Sequence, residues 1–520
     1  MLRAYGAHAV RRAEEPLLKA GVPLMRRASY AVANQAIAYL RREDFRVPGS
    51  SVLALVGPGN NGGDALFAAA FLADRSIDVT AVFTGAVHAG GMRAAERSGV
   101  RMIALEEPTS DSALADLRHG ANAGGIWIDG LLGIGSTGGA REPYATWIRV
   151  LDEVRFASPA EPFIIAVDTP SGVGVDDGSL PGPVLPANLT VAMGCAKPAH
   201  VLPPARYACG EVLVVDLGFD EALPPKADVM ELTDADVSDL WVVPGITDHK
   251  YTRGVVGLLT GSDMYPGAAV LGAAGALAAG PGMVRYLGTS EHVIHAFPEV
   301  VPADGHVQSL VIGSGLDTLD TARSRFDDAR AKGTPMVLDA GAIELAYALN
   351  LTGHVVLTPH AGELTALLQA KGEDVERAEV EARPVWAATR ASELTGATVL
   401  AKFATDVVAC PSGRLYAQGG APGWTGTAGA GDVLAGLLGT LLAMHADGLS
   451  EGVPAQLAAA ASHIHSQAAI LASTSYEPEF SHGPESSRRS GSSGRRVGRP
   501  IRASEIAASI PDVIERILNE

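Results

Sequence analysis

Apolar residues along the chain occur mostly in short continuous runs, separated by longer segments with helical spacing. The clearest run, residues 51–57, leads into a turn rich in glycine and asparagine, and a helix is expected from about Gly62. Continuous apolar runs bounded by glycine are typical of strands buried on both faces of a parallel sheet. Their alternation with helices predicts an α/β fold in which helices cover both faces of each sheet.

The same pattern predicts the individual elements of both halves. Residues 1–46 are expected to be helical, and long helices are expected near 432–444 and 454–472. The strands expected in the first half are residues 51–57, 79–83, 126–132, 163–167, 189–193 and 212–217. Those expected in the second half are residues 255–260, 283–287, 310–313, 336–339, 355–358, 398–402 and 407–410.

A break in this alternation predicts two domains. Prolines and acidic residues interrupt the pattern after residue 218, so we expect one domain at residues 1–218, a linker at 219–240 and a second domain at 241–475. Residues 476–500 hold Ser, Gly and Arg with few apolar side chains and are predicted to be disordered. A last helix is predicted at 501–520.

Charge and cysteine content narrow the classes of partner. The formal net charge of the 520-residue chain is -18, so binding of nucleic acid through a broad basic face is not expected. Three cysteines cannot build a disulfide framework or a thiolate metal site. The most apolar stretch, residues 268–283, is expected to be a buried helix and not a membrane span. Without a signal-peptide pattern, the cytoplasm is the expected location.

The first candidate binding loop reads Gly-Pro-Gly-Asn-Asn-Gly-Gly-Asp at residues 57–64. Glycines let the backbone approach a ligand closely, and the first amides of the following helix point at it, which suits a phosphate or pyrophosphate. A tight turn without a ligand is the alternative that the loop alone leaves open. The Gly-x-Gly-x-x-Gly spacing of the usual dinucleotide fingerprint is absent.

Two more strand ends in this half carry polar residues, at 129–143 and 168–172. Ligand sites in open parallel sheets collect at the carboxyl ends of strands. Asn61, Asp129 and Ser171 are therefore candidate oxygen ligands of a cation, and Asp168 is a candidate general acid or base. For any one of these aspartates, a capping or turn role is the alternative.

Taken together, residues 55–64, 129–143 and 167–172 with Lys197-Pro198 resemble the NAD(P)H-hydrate epimerase family over about residues 1–218. The resemblance implies a Rossmann-like parallel-sheet sandwich that interconverts the R and S epimers at C6 of hydrated NADH or NADPH. It implies K⁺ at Asn61, Asp129 and Ser171, and catalysis by Asp168. The residues that it implies for binding the hydrate are Asn60, Asn61, Gly62, Gly63, Asp64, Gly133, Ile134, Gly135, Ser136, Thr137, Gly138, Gly139 and Asp168. Ala65 departs from the glycine usual in the family, and Lys197 is left open between a phosphate ligand and a surface lysine.

A second candidate loop, Gly-Thr-Ala-Gly-Ala-Gly-Asp at residues 426–432, opens a long helix in the C-terminal half. Its small residues free backbone amides to hold an anion at the helix N-terminus. A carboxylate beside a bound phosphate suits a base that takes the proton of an attacking hydroxyl, which assigns that role to Asp432. The alternative is an N-capping aspartate.

This loop resembles the ribokinase-like superfamily, and further segments narrow the resemblance. Residues 249–254, 265–268, 311–315 and 357–363 together resemble ADP-dependent NAD(P)H-hydrate dehydratase over about 240–475. The resemblance implies a ribokinase-like α/β/α domain that uses Mg²⁺ and takes ADP as co-substrate. The residues implied to contact the hydrate are Ala268, Gly315, His360 and Asp432, and those implied to contact the nucleotide are Lys402, Phe403, Ala404, Thr405, Asp406 and Gly431. The departures from the family pattern are Phe403 for Gly, Ala361 for Pro, and Ala428 and Ala430 in the glycine-rich segment.

The resulting prediction is a bifunctional enzyme that epimerises hydrated NADH and NADPH and dehydrates the S epimer with ADP, releasing AMP and phosphate. NADHX and NADPHX are its expected substrates. No nucleic acid or membrane partner is expected, and the chain is expected to form a homo-oligomer. The main alternative is a ribokinase-like small-molecule kinase with a nucleotide-binding N-terminal domain. A non-catalytic scaffold with degenerate sites is the third hypothesis.

Overall fold

The computed structural model describes residues 1–135, 138–474 and 498–519. These residues form two compact units, Arg3–Asp228 and Val229–Glu520 with Met1–Leu2. The two-unit α/β architecture expected from the sequence is confirmed. The division lies inside the segment predicted as a linker, and that segment is not separate from the units, because the apolar side chains of Phe219 and Val229 are buried. Residues 476–497 of the segment predicted to be disordered lie outside the described residues.

The N-terminal unit, Arg3–Asp228, is built on one parallel sheet. Its strand order is β4-β3-β2-β5-β6-β7-β8. The strands are β2 (Ser51–Val56), β3 (Asp78–Phe83), β4 (Arg101–Ala104), β5 (Ile126–Gly130), β6 (Phe163–Val167), β7 (Leu189–Met193) and β8 (Glu211–Val215), and β1 (Leu2–Ala4) spans the division between the units. The helices are α1 (Ala7–Lys19), α2 (Leu24–Arg42), α3 (Asn60–Ala73), α4 (Ala89–Arg97), α5 (Asp111–Ala123), α6 (Tyr144–Ala157), α7 (Pro198–Val201) and α8 (Arg206–Cys209), with a 3-10 turn at Asp220–Ala222.

The sheet of this unit reverses its direction of winding at β2. Strand β2 pairs with β3 on one side and with β5 on the other, so the connections leave it in opposite directions. The carboxyl ends of β2, β5 and β6 then surround a crevice, which is where open α/β sheets bind ligands. The candidate motifs at residues 57–64, 129–135 and 168–172 follow these three strands.

The prediction of one helical segment at residues 1–46 was wrong in part. The chain there begins with β1 and then forms two helices, α1 and α2, that are separated at residues 20–23. Gly21 has a φ of +75°, which ends α1, and Pro23 precedes the first residue of α2. Positive φ and proline both interrupt a helix, and the apolar spacing of the two helices masked the interruption.

The C-terminal unit, Met1–Leu2 with Val229–Glu520, contains a larger, mixed sheet. Its strands are β9 (Val229–Glu231), β10 (Val255–Leu259), β11 (Met283–Tyr286), β12 (Ser309–Ile312), β13 (Met336–Leu338), β14 (Val355–Leu357), β15 (Thr398–Ala401), β16 (Asp406–Ala409) and β17 (Leu415–Gln418). Its helices are α9 (Asp234–Leu240), α10 (Pro266–Ala278), α11 (His292–Ala296), α12 (Asp320–Lys332), α13 (Ala361–Ala370), α14 (Arg377–Ala382), α15 (Pro384–Thr395), α16 (Ala430–Met444), α17 (Val453–Thr474) and α18 (Ala503–Asn519). The 3-10 turns are Ala340–Ala346, Gly423–Thr425 and Ala446–Gly448.

Strands β11-β10-β12-β13-β14-β15 of this sheet are parallel in that order, and β16 and β17 continue it as antiparallel neighbours. Successive residues of a strand face opposite sides. Val311 lies in the apolar cluster on one face, and its neighbours Leu310 and Ile312 lie in the cluster on the other. Helices therefore cover both faces, as the continuous apolar runs predict.

Helices α10 and α16 of the same unit approach each other closely through glycines. A Cβ on Gly436 would lie 2.0 Å from the carbonyl oxygen of Gly272, and one on Gly275 would lie 2.2 Å from that of Val433. The two backbones are thus in contact where no side chain fits between them, which fixes the position of α16. Within the described part of the chain, no helix combines the length and hydropathy required to span a bilayer.

Candidate functional site

The N-terminal unit has a cavity of about 780 Å³ at the carboxyl ends of β2 and β5, with helix α1 on its other side. Five of the residues expected to bind the hydrate line it. These are Asn60, Asn61, Gly133, Ile134 and Gly135. The turn after β2 and the loop after β5 therefore meet in one place, as the strand-end argument requires.

Asn61, Asp129 and Ser171, the candidate cation ligands, meet around the peptide of Leu132. Asn61 Nδ2 donates to the carbonyl oxygen of Leu132 (3.1 Å) and to that of Val167 (2.6 Å). The Leu132 N–H donates to Ser171 Oγ (2.9 Å). Ser171 in turn donates through Oγ to Asp129 Oδ1 (2.6 Å) and through its N–H to Asp129 Oδ2 (2.8 Å). The three residues thus belong to one hydrogen-bond network.

Asp129 is fully buried within that network. Burial raises the pKa of its carboxyl to about 6, although the hydrogen bonds from Ser171 and from the Leu131 N–H lower it. A carboxylate in this position carries a negative charge that the described neighbours only partly compensate. A positive charge close to Asp129 would therefore stabilise its ionised form.

Asp168, the candidate acid or base, lies beside the same network but in its own ion pair. Its backbone has a φ of +66°, a conformation that L residues rarely adopt and that often marks functional positions. Its carboxylate pairs with the ammonium group of Lys197, whose side chain is fully buried. The Met193 N–H also donates to Asp168 Oδ1 (2.9 Å). Lys197 is therefore neither of the two alternatives left open by the sequence, because it is buried against an aspartate.

His200 contacts the backbone of both residues of this ion pair. Its Nε2 lies 2.8 Å from the Asp168 carbonyl oxygen, and its Nδ1 accepts from the Lys197 N–H (3.1 Å). Burial, followed by the charge of Lys197, lowers the pKa of His200 to about 4. The ring is therefore neutral near pH 7, and Nε2–H donates to the carbonyl. No sequence motif singled out this histidine.

Helix α1 contributes charged residues to the cavity that the sequence analysis missed. Glu14 and Arg11 line it, and Arg11 Nη2 donates to the Ile134 carbonyl oxygen (2.9 Å). Burial and the nearby charge of Asp168 raise the pKa of Glu14. The helical spacing of residues 7–19 gave no reason to separate these two from the other charged residues of an amphipathic helix.

Other residues expected to bind the hydrate are placed away from the cavity lining. Gly62 and Gly63 are buried in the first turn of α3, and Asp64 accepts a hydrogen bond from Ser29 Oγ (3.1 Å). Burial raises the pKa of Asp64 well above its usual value. Gly138, Gly139 and Asp168 are also outside the lining, and Ser136 and Thr137 lie outside the described residues. Their contacts with a hydrate stay predictions.

The C-terminal unit has a cavity of about 580 Å³ between the carboxyl ends of its strands and the N-terminus of α16. It brings together most of the residues expected to contact hydrate or nucleotide. Those in its lining are His360, Lys402, Phe403, Ala404, Asp406, Gly431 and Asp432. Segments separated by about 70 residues in the sequence therefore form one site.

Asp432 lies in the first turn of α16, where backbone amides have no acceptor within the helix. Burial and the charge of Asp339 raise the pKa of Asp432 to about 6, while a hydrogen bond from Ser314 and the charge of Lys402 lower it. Lys402 Nζ pairs with Asp339 Oδ1 (2.7 Å) and lies 3.2 Å from the position of a Cβ on Gly431. A lysine, the N-terminus of a helix and a carboxylate of raised pKa thus meet at one place, which suits phosphate binding with proton transfer.

Ala268 and Gly315 adjoin this cavity without lining it. A Cβ on Gly315 would lie 2.9 Å from that of Ala268, so the two residues are neighbours. The side chain of Ser314, next to Gly315, forms a hydrogen bond with Asp432. The ends of β12 and α10 are therefore joined to the cavity through Asp432.

His360 caps helix α13 and also lines the cavity. Its Nδ1 accepts from the N–H groups of Gly362 (3.0 Å) and Glu363 (3.2 Å), which is a structural role. Its side chain is 60% exposed. Both functions are compatible, because the cap uses Nδ1 and leaves Nε2 close to Glu363 at the cavity.

A hydrogen bond between Phe403 and Asp406 spans the loop between β15 and β16. The Phe403 N–H donates to Asp406 Oδ1 (3.0 Å), and Ser462 Oγ donates to Asp406 Oδ2 (2.7 Å). Burial raises the pKa of Asp406 to about 6. Thr405 is buried and does not line the cavity. The carboxylate of Asp406 therefore shapes the loop, whereas its backbone neighbours face the cavity.

Comparison with known proteins decides the family. The YjeF_N model, described as YjeF-related protein N-terminus, matches residues 22–199, and the Carb_kinase model, described as NAD(P)H-hydrate dehydratase, matches residues 256–482. The bifunctional NAD(P)H-hydrate repair enzyme Nnr of Mycobacterium leprae is 38% identical over 495 residues, which are 92% of this chain and 96% of that protein. The chain belongs to the family of bifunctional NAD(P)H-hydrate repair enzymes.

Further relatives match the whole chain or one half of it. The repair enzyme Nnr of Corynebacterium glutamicum is 30% identical over 85% of this chain and 87% of its own length. The NAD(P)H-hydrate epimerase of Clavibacter michiganensis is 40% identical over 224 residues, which are 42% of this chain and 90% of that protein. An ADP/ATP-dependent NAD(P)H-hydrate dehydratase from Bacillus subtilis, co-crystallized with ATP/Mg²⁺, has a TM-score of 0.45 at 22% identity and covers 55% of this chain and 97% of its own.

The departures from the repair-enzyme pattern have different positions in the structure. Ala65 is fully buried and its Cβ faces Gly130, so the extra methyl group packs inside the unit and does not line the cavity. Phe403 does line the C-terminal cavity, and it packs against the apolar cluster that contains Leu310 and Ile312. Of the two, only Phe403 changes the surface that a ligand meets.

Proposed function

We propose that the chain repairs hydrated NADH and NADPH in two reactions. The N-terminal unit epimerises the hydrate at C6, and the C-terminal unit dehydrates the S epimer with ADP as co-substrate. The family assignment supports both activities over the kinase alternative. The observation that carries the dehydratase is the position of Asp432 in the first turn of α16, in the same cavity lining as Lys402 and Gly431.

In the dehydratase, Asp432 takes the proton of the C6 hydroxyl as that oxygen attacks the β-phosphorus of ADP. The bond from β-phosphorus to the bridging oxygen breaks and AMP leaves. The amides of Gly429 and Gly431, together with Lys402, stabilise the negative charge that develops on the phosphoryl oxygens. The C6–O bond then breaks with assistance from the ring nitrogen, phosphate departs, and loss of a proton from C5 restores NAD(P)H.

The residues present fit a nucleotide that brings its own Mg²⁺. Among the described residues, no group of three or more His, Cys, Asp or Glu side chains has the arrangement to hold a metal. Mg²⁺ retains waters and binds substrate phosphates, so it needs few protein ligands. It would neutralise charge on the diphosphate, while Lys402 and the α16 amides orient that group.

The residues also fit K⁺ in the N-terminal unit. The Asn61 amide faces the carbonyl oxygens of Leu132 and Val167, and the oxygen and nitrogen of such an amide are exchangeable in assignment. If the Asn61 amide oxygen takes the place of its nitrogen, three neutral oxygens lie together near the buried Asp129 carboxylate. They are those of the Asn61 side chain and of the Leu132 and Val167 carbonyls. K⁺ held there would compensate the charge of Asp129 and fix the loop that contacts the hydrate.

In the epimerase, we assign Asp168 the movement of a proton between the C6 hydroxyl and the ring nitrogen. Removal of the hydroxyl proton allows the C6–N bond to break, giving an aldehyde and a protonated ring nitrogen. Closure on the opposite face of the aldehyde returns the proton and gives the other epimer. The buried Lys197 ammonium keeps the carboxylate of Asp168 in place. We also propose a cytoplasmic homo-oligomer.

The deciding experiment mixes purified protein with R and S NADHX, K⁺, Mg²⁺ and ADP, and follows absorbance at ~340 nm. Full recovery of NADH with one AMP formed per NADH is expected. Recovery that stops at one epimer's share would contradict the epimerase assignment. A stable phosphorylated product in place of NADH would support the kinase.

A further inference from the structure

Two carboxyl groups of helix α1 line the N-terminal cavity, and their surroundings differ. Glu15 is exposed and forms an ion pair with Lys19 (2.6 Å). Glu14 is half-buried, and no described residue donates a hydrogen bond to its carboxyl or forms a salt bridge with it. Burial, followed by the charge of Asp168, raises the pKa of Glu14. Glu14 therefore presents an unpaired carboxyl of raised pKa to a molecule bound in the cavity.

The position of Glu14 is defined because helix α1 is fixed to two loops of the sheet. The N–H of Ala7, the first residue of α1, donates to Asp176 Oδ1 (2.7 Å) in the loop after β6. Arg11 Nη2 donates to the Ile134 carbonyl oxygen (2.9 Å) in the loop after β5. Glu14 follows Arg11 by three residues, so the two side chains are neighbours on the helix. Glu14 is thus held beside the loop that lines the other part of the cavity.

The carboxyl of Asp168 has different contacts. It is paired with the buried ammonium group of Lys197, accepts from the Met193 N–H (2.9 Å), and is only 4% exposed. Both contacts are made by Oδ1, which leaves Oδ2 to accept a proton from a substrate. The charge of Asp168 acts on Glu14, so the two carboxyls are close enough to interact. Two carboxyls with different partners therefore serve one site.

Opening of the hydrated ring requires a base at one atom and an acid at another. The C6 hydroxyl loses its proton as the C6–O bond becomes a carbonyl. The ring nitrogen receives the electron pair of the C6–N bond and gains a proton. Without that proton, nitrogen would leave as an anion, which is a poor leaving group. An acid placed at the nitrogen therefore lowers the barrier.

We propose that Glu14 is this acid and that Asp168 serves only the hydroxyl oxygen. The Glu14 carboxyl gives its proton to the ring nitrogen, Asp168 takes the hydroxyl proton, and the C6–N bond breaks to give the aldehyde. When nitrogen attacks the opposite face of the aldehyde, its proton returns to Glu14 and the proton on Asp168 returns to oxygen. Both carboxyls regain their starting forms, so no co-reactant is consumed. This inference rests on the proposed epimerase function of the unit.

The test compares Glu14→Gln with wild-type protein, each as the full chain. Pure R-NADHX is incubated with K⁺ and without nucleotide, so that dehydration does not occur, and the S epimer is measured by chromatography. The amide has nearly the shape of the acid but cannot give a proton to nitrogen. Glu14→Gln should therefore slow interconversion by about 10²-fold or more. Because the contact matters in the transition state, kcat and kcat/KM should fall together.

Glu43→Gln is the matched control. This glutamate is also half-buried in the N-terminal unit, pairs with Arg42 (3.3 Å) and does not line the cavity. Its replacement changes the net charge by the same amount and should leave the rate of interconversion unchanged. An equal loss of rate in Glu43→Gln and Glu14→Gln would assign the effect to the folded unit in general and overturn the inference.

The pH dependence of wild-type protein is an independent readout. Only protonated Glu14 can give a proton, so kcat/KM, corrected for spontaneous epimerisation, should fall as the pH rises through its pKa between about pH 5 and about pH 9. This decline should be absent from Glu14→Gln. Use of the ionised form of Asp168 gives a dependence of opposite sign. The titratable and charged groups that interact with Glu14 are Arg11 on α1, Asp64 on α3, Asp168 after β6, and Cys195 and Lys197 after β7.

The outcomes separate this inference from the function on which it rests. Interconversion at the wild-type rate by Glu14→Gln would overturn the role of Glu14 and leave the epimerase in place. A wild-type rate that does not fall with rising pH would also overturn it, even where Glu14→Gln does not fold. Wild-type protein that does not interconvert the epimers would remove the epimerase proposal together with this one.

Discussion

At the scale of single residues, the motifs predicted the groups that meet at strand ends and missed those that approach from elsewhere. Asp129 and Asp168 lie at strand ends and Asp432 lies at the start of a helix, all beside glycines, so local spacing marks them. Glu14 and His465 lie on helices among other polar or apolar residues, and nothing in their spacing distinguishes them. They reach the cavities only because the fold brings α1 and α17 there.

Asp432→Asn should reduce the rate of dehydration by about 10²–10⁴-fold, because the amide cannot take the hydroxyl proton. The residue is isosteric and its contact with Ser314 can persist, so ADP binding should change little. Single-turnover measurement with S-NADHX and calorimetry with ADP check the two parts. Near-normal dehydration in this variant would remove Asp432 from the role of base.

The pH dependence of dehydration should report the same carboxyl. Its pKa is raised to about 6, so kcat/KM for S-NADHX should fall as the pH drops through about 6 and the base becomes protonated. The sign for stability is opposite: a carboxyl with a raised pKa binds more protons when folded, so acidification favours the fold at this residue. Protonation of this carboxyl at low pH should therefore lower the rate of dehydration without unfolding the protein. Asp406→Asn is the control, since it removes another carboxyl with a pKa of about 6 and should keep the inflection.

At the scale of elements, continuous apolar runs predicted the buried parallel strands well, but β1, β4, β9 and β17 were not predicted. Strand β4 has two exposed and two half-buried residues, so its apolar pattern is weak. Strand β17 forms an antiparallel pair with β16 after a tight turn, and its sequence, Leu-Tyr-Ala-Gln, is too short to be distinguished from a loop. Such strands depend on partners that the local sequence does not specify.

Gly436→Ala should disturb the dehydratase without touching its cavity. The new methyl carbon would lie 2.0 Å from the Gly272 carbonyl oxygen, so α16 must move away from α10 and carry Asp432 with it. We expect a loss of roughly 1–3 kcal/mol in the free energy of unfolding and about a tenfold or greater loss in the rate of dehydration. Gly341→Ala, at a position with open space around the Cβ, should change neither quantity. Normal dehydration by Gly436→Ala would show that α16 tolerates the shift.

At the scale of the whole molecule, the two cavities belong to different units and serve consecutive reactions in our proposal. The sequence predicted the two domains, and it placed the break close to the division after Asp228. It did not predict that Phe219 and Val229 would each be buried, because a segment rich in proline and acidic residues is typical of a linker. Residues of the segment predicted as a linker are therefore partly buried within the units.

Asp129→Asn should separate the two activities within the intact chain. The replacement removes the charge that favours K⁺ and keeps the shape of a fully buried side chain. With a mixture of epimers, K⁺, Mg²⁺ and ADP, the S epimer should be repaired at the normal rate, and the R epimer should remain until it converts spontaneously. Absorbance at ~340 nm should therefore rise to a plateau near the share of S. Rapid complete repair would contradict the assignment of epimerisation to this site.

The contact between α10 and α16 also bears on how natural variants of this chain should be judged. A change from glycine to alanine needs one nucleotide and is usually scored as mild. At Gly275 or Gly436 it would act as a loss-of-function allele, although neither position lines a pocket or bears a reactive group. A carrier of such an allele would accumulate the hydrate that the second reaction consumes, while the first reaction continued.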